Sequence, residues 1–187
     1  SRGDCGAIAL RGLPRIEQVF VQPGDGMHAQ AFELALFLAR RAAEQQLAAQ
    51  PDFYVVTLSA ATLGYKAMVL PDALAKVFPD LARPELASSV VVFHQRFSTN
   101  TAPAWKLAQP FRLLAHNGEI NTIEGNRHWA RARAAHWHSP ALDLAALTPL
   151  VSEHGSDSQS LDNMLELLLA GGMDLLQAMR ILIPPAT

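Results

Sequence analysis

The sequence predicts an α+β fold with stacked helical and sheet layers, and three observations carry that expectation. Short runs rich in β-branched and aromatic residues come in groups. Apolar residues recur at helical spacing between and after those groups. The two patterns do not alternate regularly, which argues against a parallel βαβ arrangement.

Taken in order, residues 1–14 carry little pattern and read as an irregular lead-in. Residues 15–21, Arg-Ile-Glu-Gln-Val-Phe-Val, read as a strand that ends at the turn cluster 23–26, Pro-Gly-Asp-Gly. Residues 29–49 read as a long helix, with Phe32, Leu36, Ala39 and Ala43 on one face and Pro51 as the stop. Residues 52–59 and 62–70 read as a hairpin. Pro71 opens a short helix to residue 78, and 88–94 is a continuous apolar run of buried-strand length. Residues 111–116 read as another strand, which runs into the turn dipeptide Asn117-Gly118. Asn121 and Thr122 can cap a helix reaching about residue 138, with Glu124 near its positive end. Helices are expected at 161–170, ended by Gly171-Gly172, and at 174–183, stopped by two prolines.

Composition narrows the function. Half of the 187 residues are apolar and 17% are charged, a globular composition. Fifteen basic residues against seventeen acidic ones give a net charge of −2, so neither nucleic acid nor an anionic membrane is an expected partner. No apolar run reaches the roughly 18 residues of a membrane span, and the opening residues lack the pattern of a signal peptide; a cytoplasmic location is expected. One cysteine, Cys5, excludes an internal disulfide or a multi-cysteine metal centre. His128, His136 and His138 share a predicted helix but lack the i, i+4 pair of a helical metal site, so no metal site is expected. With Arg127, Arg131 and Arg133 among them they read as a solvated face, and Trp129 and Trp137 do not turn that stretch into a nucleic-acid site.

Three loops place polar groups directly after apolar elements. In the first, a strand emerges into His94, Arg96, Thr99, Asn100 and Thr101. The planar fork of Arg96 suits a carboxylate, and equally a structural ion pair. In the second, the Asn117 side chain and the N–H of Gly118 form a candidate donor pair for an oxyanion, or simply a tight turn. In the third, Asp157 in Gly-Ser-Asp-Ser at 155–158 can accept from an ammonium group, or can cap the helix that follows. Together the loops offer what an α-amino acid with a reactive side-chain carbonyl requires, and glutamine fits.

The motifs that carry these groups resemble the class II glutamine amidotransferase domain, most closely that of glutamate synthase large subunits. They are His-Gln-Arg-Phe-Ser-Thr-Asn-Thr at 94–101, Pro-Phe-Arg-Leu-Leu-Ala-His-Asn-Gly-Glu-Ile-Asn-Thr at 110–122, Gly-Asn-Arg at 125–127, Gly-Ser-Asp-Ser at 155–158 and Leu-Asp-Asn at 161–163. The resemblance spans almost the whole chain in the family's order. It implies a four-layer αββα N-terminal-nucleophile hydrolase sandwich. It also implies that Arg96 grips the glutamine α-carboxylate, Asp157 the α-amino group, and Asn117 with Gly118 the oxyanion, while Thr99 and Asn100 lie where the family's loop touches the ligand. An N-terminal cysteine attacks the amide in this family. The ammonia released is used elsewhere in the parent protein to convert 2-oxoglutarate to glutamate. FMN and an iron–sulfur cluster, with NAD(P)H or ferredoxin as electron donor, are implied for other regions, and a small NADPH-oxidising subunit is an implied partner beside the remaining domains.

One departure stands out. Cys5-Gly6 precedes the 15–21 run by ten positions, whereas the family's Cys-Gly start lies far upstream of the matching strand. The chain therefore reads as one partial domain over 1–187, truncated at both ends and without the N-terminal strands. No nucleophile is expected in it, Cys5 being an incidental thiol, and the isolated chain is expected to be inactive. The alternatives are a non-catalytic glutamine-binding module, the amidotransferase domain of another class II enzyme, or a purely structural interface.

Overall fold

A computed structural model describes residue 3 and residues 5–96 and 102–185. Six α-helices run through the described residues: α1 (Ala7–Arg11), α2 (Ala29–Gln46), α3 (Leu74–Val77), α4 (Ile123–Ala134), α5 (Asp157–Ala170) and α6 (Leu175–Leu182). Single 3-10 turns occur at Pro71–Ala73, Pro79–Ala82 and Trp105–Leu107.

The helical half of the α+β expectation is present, and the strands are not. None of the runs 15–21, 52–59, 62–70, 88–94 and 111–116 forms a strand, so the described residues do not display the predicted sandwich. A strand exists only with a hydrogen-bonded neighbour, and none of these runs pairs with another. In the runs 15–21 and 88–94 the apolar side chains consequently face outward, Phe20 being 91% exposed and Phe93 84%, whereas Phe111 is buried without a strand partner.

Helix α2 buries Leu36 of its predicted face, but beside it Phe37 and Arg40 rather than Ala39, which is exposed, and it ends three residues early, at Gln46, where the Leu47 N–H returns to the Ala43 carbonyl at 3.0 Å. Its buried Phe37 joins Leu142, Leu147, Leu150 and Leu167 in the core, with Leu34, Ala134 and Met164 packed around them. Fully burying one such side chain is worth roughly 1.5–3 kcal/mol. The loop that supplies Leu147 is tied to α2 by polar bonds. Arg41 donates to the carbonyls of Leu147 (2.7 Å) and Pro149 (2.6 Å), and Gln45 donates to those of Ala146 (2.9 Å) and Thr148 (3.2 Å).

Helix α1 was not expected. Its buried Ala9 accepts a 3.0 Å hydrogen bond from the indole of Trp105, which fastens the lead-in to the body of the chain. Helix α4 ends at Ala134 rather than near 138. Thr122 occupies its N-cap without a capping bond and donates its hydroxyl to Asn126 instead. Arg127 faces inward from α4, while His128, His136 and His138 are exposed.

Helix α5 organises the rest. It begins at Asp157, four residues before the predicted start, because Ser156 caps it by accepting from the Gln159 N–H at 3.1 Å. It ends as expected: Gly172 takes a φ of 92°, and the Met173 N–H reaches back to the Leu168 carbonyl at 3.0 Å. Helix α6 is capped by Asp174, whose carboxylate accepts from the N–H groups of Leu176 and Gln177, and it packs on α5.

Candidate active site

The face of α5 that looks inward is polar at its start and apolar at its end. Ser158, Ser160, Asp162 and Asn163 are buried, followed by Leu165 and Leu167. Buried polar groups must be hydrogen-bonded, and these bond to the loops laid across the helix. Asp162, with no exposure, accepts from the backbone N–H groups of Arg112 (3.2 Å), Leu113 (2.8 Å) and Leu114 (3.2 Å). Burial pushes its pKa up, and those three N–H groups with the Arg112 cation pull against the rise.

Around Asp162 lies an ion network. Arg40, 1% exposed, bonds to Glu44 at 2.8 Å and sits 2.5 Å from Glu166, an ion pair poorly aligned as a hydrogen bond. Arg112 donates to Glu44 and to the Val55 carbonyl, both at 2.7 Å. Helix α2, helix α5 and segment 111–114 are thereby locked together just before the Asn117-Gly118 turn.

The turn itself is held from both sides. Before it, the buried Gln109 side chain accepts from the His116 N–H at 2.8 Å and donates to the His116 carbonyl at 3.1 Å. After it, the Ile120 N–H donates to Asp157 Oδ2 at 2.8 Å. Asp157 Oδ1 accepts from its neighbour Ser158, from the N–H at 2.6 Å and from the hydroxyl at 3.1 Å. Burial raises the Asp157 pKa, but these backbone and hydroxyl bonds, with nearby His116, outweigh it and hold the group below the ordinary carboxylate range.

The structure thus brings together Asn117, Gly118 and Asp157, three of the residues singled out by sequence. Arg96 is exposed at the end of the 88–96 stretch and takes no part in the bonds that join those three. Thr99 and Asn100 lie outside the described residues. Cys5 is a half-buried free thiol. Sequence reasoning assigned no role to Gln109, His116, Ser158 or Asp162, although His116 stands directly beside the Asn-Gly pair.

A cleft of about 450 Å³ opens on another side of the same framework, lined in part by Glu44, Tyr54, Lys66, Phe111, Arg112 and Gly155. Lys66 is buried in it, donating to the Lys106 carbonyl at 3.2 Å, with its ammonium 4.8 Å from the Phe111 ring centroid. Burial, helped by the Arg112 cation, lowers its pKa to about 8. Among the described residues no group of three metal-ligating side chains assembles, and no helix is long and apolar enough to cross a membrane.

A family model described as glutamine amidotransferases class-II matches residues 1–187. The chain belongs to the class II glutamine amidotransferase family. Curated relatives point the same way. The chain is 40% identical over 177 residues to the glutamate synthase [NADPH] large chain of Azospirillum brasilense, covering 92% of this chain and 12% of that protein. It is 43% identical to the ferredoxin-dependent glutamate synthase 2 of Synechocystis sp., covering 97% and 12%. It is 39% identical to the glutamate synthase [NADH] of Saccharomyces cerevisiae, covering 97% and 9%. This amidotransferase chain therefore spans about one eighth of the length of the first two relatives.

Proposed function

We propose that the chain is the central and C-terminal part of the amidotransferase domain of a glutamate synthase large subunit, and that it binds glutamine and supports its hydrolysis to glutamate and ammonia. The observation that carries this reading is the 2.8 Å bond from the Ile120 N–H to Asp157, which holds the Asn117-Gly118 turn against the start of α5. Two of the three ligand-holding loops thereby converge.

In the proposed site Arg96 pairs with the glutamine α-carboxylate, and Asp157, held ionised, accepts from the α-ammonium. Thr99 and Asn100 contribute from the same loop as Arg96. A cysteine thiolate at the start of the complete domain attacks the amide carbon. The Asn117 side chain and the Gly118 N–H receive the developing oxyanion. The C–N bond breaks, ammonia leaves with a transferred proton, and water cleaves the thioester to glutamate. Cys5 is not the nucleophile in this scheme, so the isolated chain does not turn glutamine over.

The ammonia serves the amination of 2-oxoglutarate in the remaining domains, in the cytoplasm, with a small NADPH-oxidising subunit as a further partner in NADPH-dependent forms. One cysteine cannot supply the several thiolates that hold an iron–sulfur cluster, so the cluster is assigned to other regions of the parent protein, as the family resemblance also implies for FMN. The β-type runs 15–21 and 88–94 are assigned to the family's sandwich once the rest of the domain is present to pair with them.

Glutaminase activity of the complete enzyme tests the reading. Asp157→Ala and Arg96→Ala are expected to raise KM by on the order of tenfold or more, and Asn117→Ala to lower kcat by on the order of a hundredfold. Wild-type kinetics in all three variants overturns it.

A further inference from the structure

We infer that His116 is a positioning residue for the oxyanion donors, acting through its contacts on either side of the Asn117-Gly118 turn. The inference rests on the reading that this turn receives the oxyanion.

The main chain of His116 is fixed by Gln109 at both its N–H and its carbonyl, so its ring direction is set by a buried anchor. The ring then touches two things. Nδ1 lies 3.3 Å from the Ser158 hydroxyl and 4.0 Å from Asp157 Oδ2. On the other edge, Nε2 lies 3.0 Å and Cε1 3.3 Å from the point where a Cβ on Gly118 would sit. The ring therefore bridges the first turn of α5 and the donor glycine.

The hydrogen-bond network assigns the tautomer. The Ser158 hydroxyl donates its only proton to Asp157 Oδ1, so toward His116 it is an acceptor and Nδ1 carries the hydrogen. Nε2 is then a bare lone pair beside Gly118. Asp157 in turn holds the Ile120 N–H. The residue before the donors and the residue two after them are thus anchored to adjacent positions, 157 and 158, on one rigid helix. Fixing donors before reaction is what gives an oxyanion site its value, since a misplacement of an ångström is felt in the chemical step and not in ground-state binding.

The test is glutamine hydrolysis by the complete enzyme that carries this segment. His116→Phe keeps the ring and removes the Nδ1 donor. It is expected to lower kcat by on the order of tenfold with KM unchanged. His116→Asn places an N–H close to the Nδ1 position and is expected to recover most of the loss. Wild-type kcat in His116→Phe, a rise in KM in place of the fall in kcat, or an Asn variant as slow as the Phe variant, each overturns the inference. Thermal melting of both variants separates a misfolded protein from a misplaced turn, and His116→Leu, which also lacks the Nδ1 donor and is expected to be as slow as the Phe variant, carries the test if that variant does not fold. Asn117→Ala separates the two levels. If it leaves kcat untouched, the oxyanion reading falls; if it is slow while His116→Phe is not, only the role of His116 falls.

Discussion

The His116 ring occupies the space that a side chain on Gly118 would need: Nε2 stands 3.0 Å from the position of the missing Cβ. Gly118 does not have a positive φ, so the demand for glycine is one of room and not of backbone strain. Gly118→Ala is expected to push the ring off Ser158 and to lower kcat for glutamine hydrolysis by on the order of tenfold. Stability should change by less than about 1 kcal/mol, because the ring can give by a few tenths of an ångström and the unfolded chain loses some freedom. Steady-state kinetics beside a urea melt checks both halves.

Asp162 is the opposite case, a residue whose loss should unfold more than it slows. Its carboxylate, with no exposure of its own, is the acceptor for three successive backbone N–H groups. Leaving buried donors unmet costs roughly 1–3 kcal/mol each. Asp162→Ala is expected to destabilise the chain by about 3 kcal/mol or more, read from the midpoint of urea unfolding. Asp162→Asn keeps one acceptor oxygen and should fall between that variant and the wild type.

Lys66 gives the stability a dependence on alkaline pH. Its folded pKa, about 8, lies below the ordinary 10.5, so the unfolded chain binds more protons between those values. Stability then rises with pH over that interval. Tyr54 works against it from pH 10 upward, since burial raises its phenol to about 12 and the folded state resists ionisation. The expected profile climbs from pH 8 to 10 and then flattens. In Lys66→Met the climb should vanish. Urea unfolding at half-unit pH steps measures it, and a climb that survives in the variant removes Lys66 as its source.

The sequence was a good guide to the helices and a poor one to the strands, for a physical reason. A helix closes its hydrogen bonds within itself, so the periodicity of α2 and the Gly171-Gly172 stop of α5 are local facts. A strand is a relation to another strand. Residues 88–94 have the side chains of a buried strand, but the described residues give the run no partner, and Val90, Val91 and Phe93 stand exposed. The early start of α5 escaped notice because Ser156, Asp157 and Ser158 read as a polar loop. They are polar because they cap the helix and hold other segments.

Much the same divides the candidate site. Asn117, Gly118 and Asp157 were visible as motif residues whose individual patterns each allowed a plainer use. The bond between residues 120 and 157, and the grip of Gln109 on His116, join positions that no local pattern relates. The plainer use of the third loop is also present: Ser156 is a helix cap, and Asp157 is the first residue inside the helix it caps.

Helix α5 carries the core side chains Leu165 and Leu167 and, two turns earlier, the carboxylate that holds the Ile120 N–H. The turn at 117–118 is consequently not a loop with a life of its own. The Ile120 amide exchanges only when its bond to the first turn of α5 opens, so slow-exchanging hydrogens should mark Ile120 and the start of the helix as one block. The proposed oxyanion turn borrows its rigidity from the same helix that holds the core.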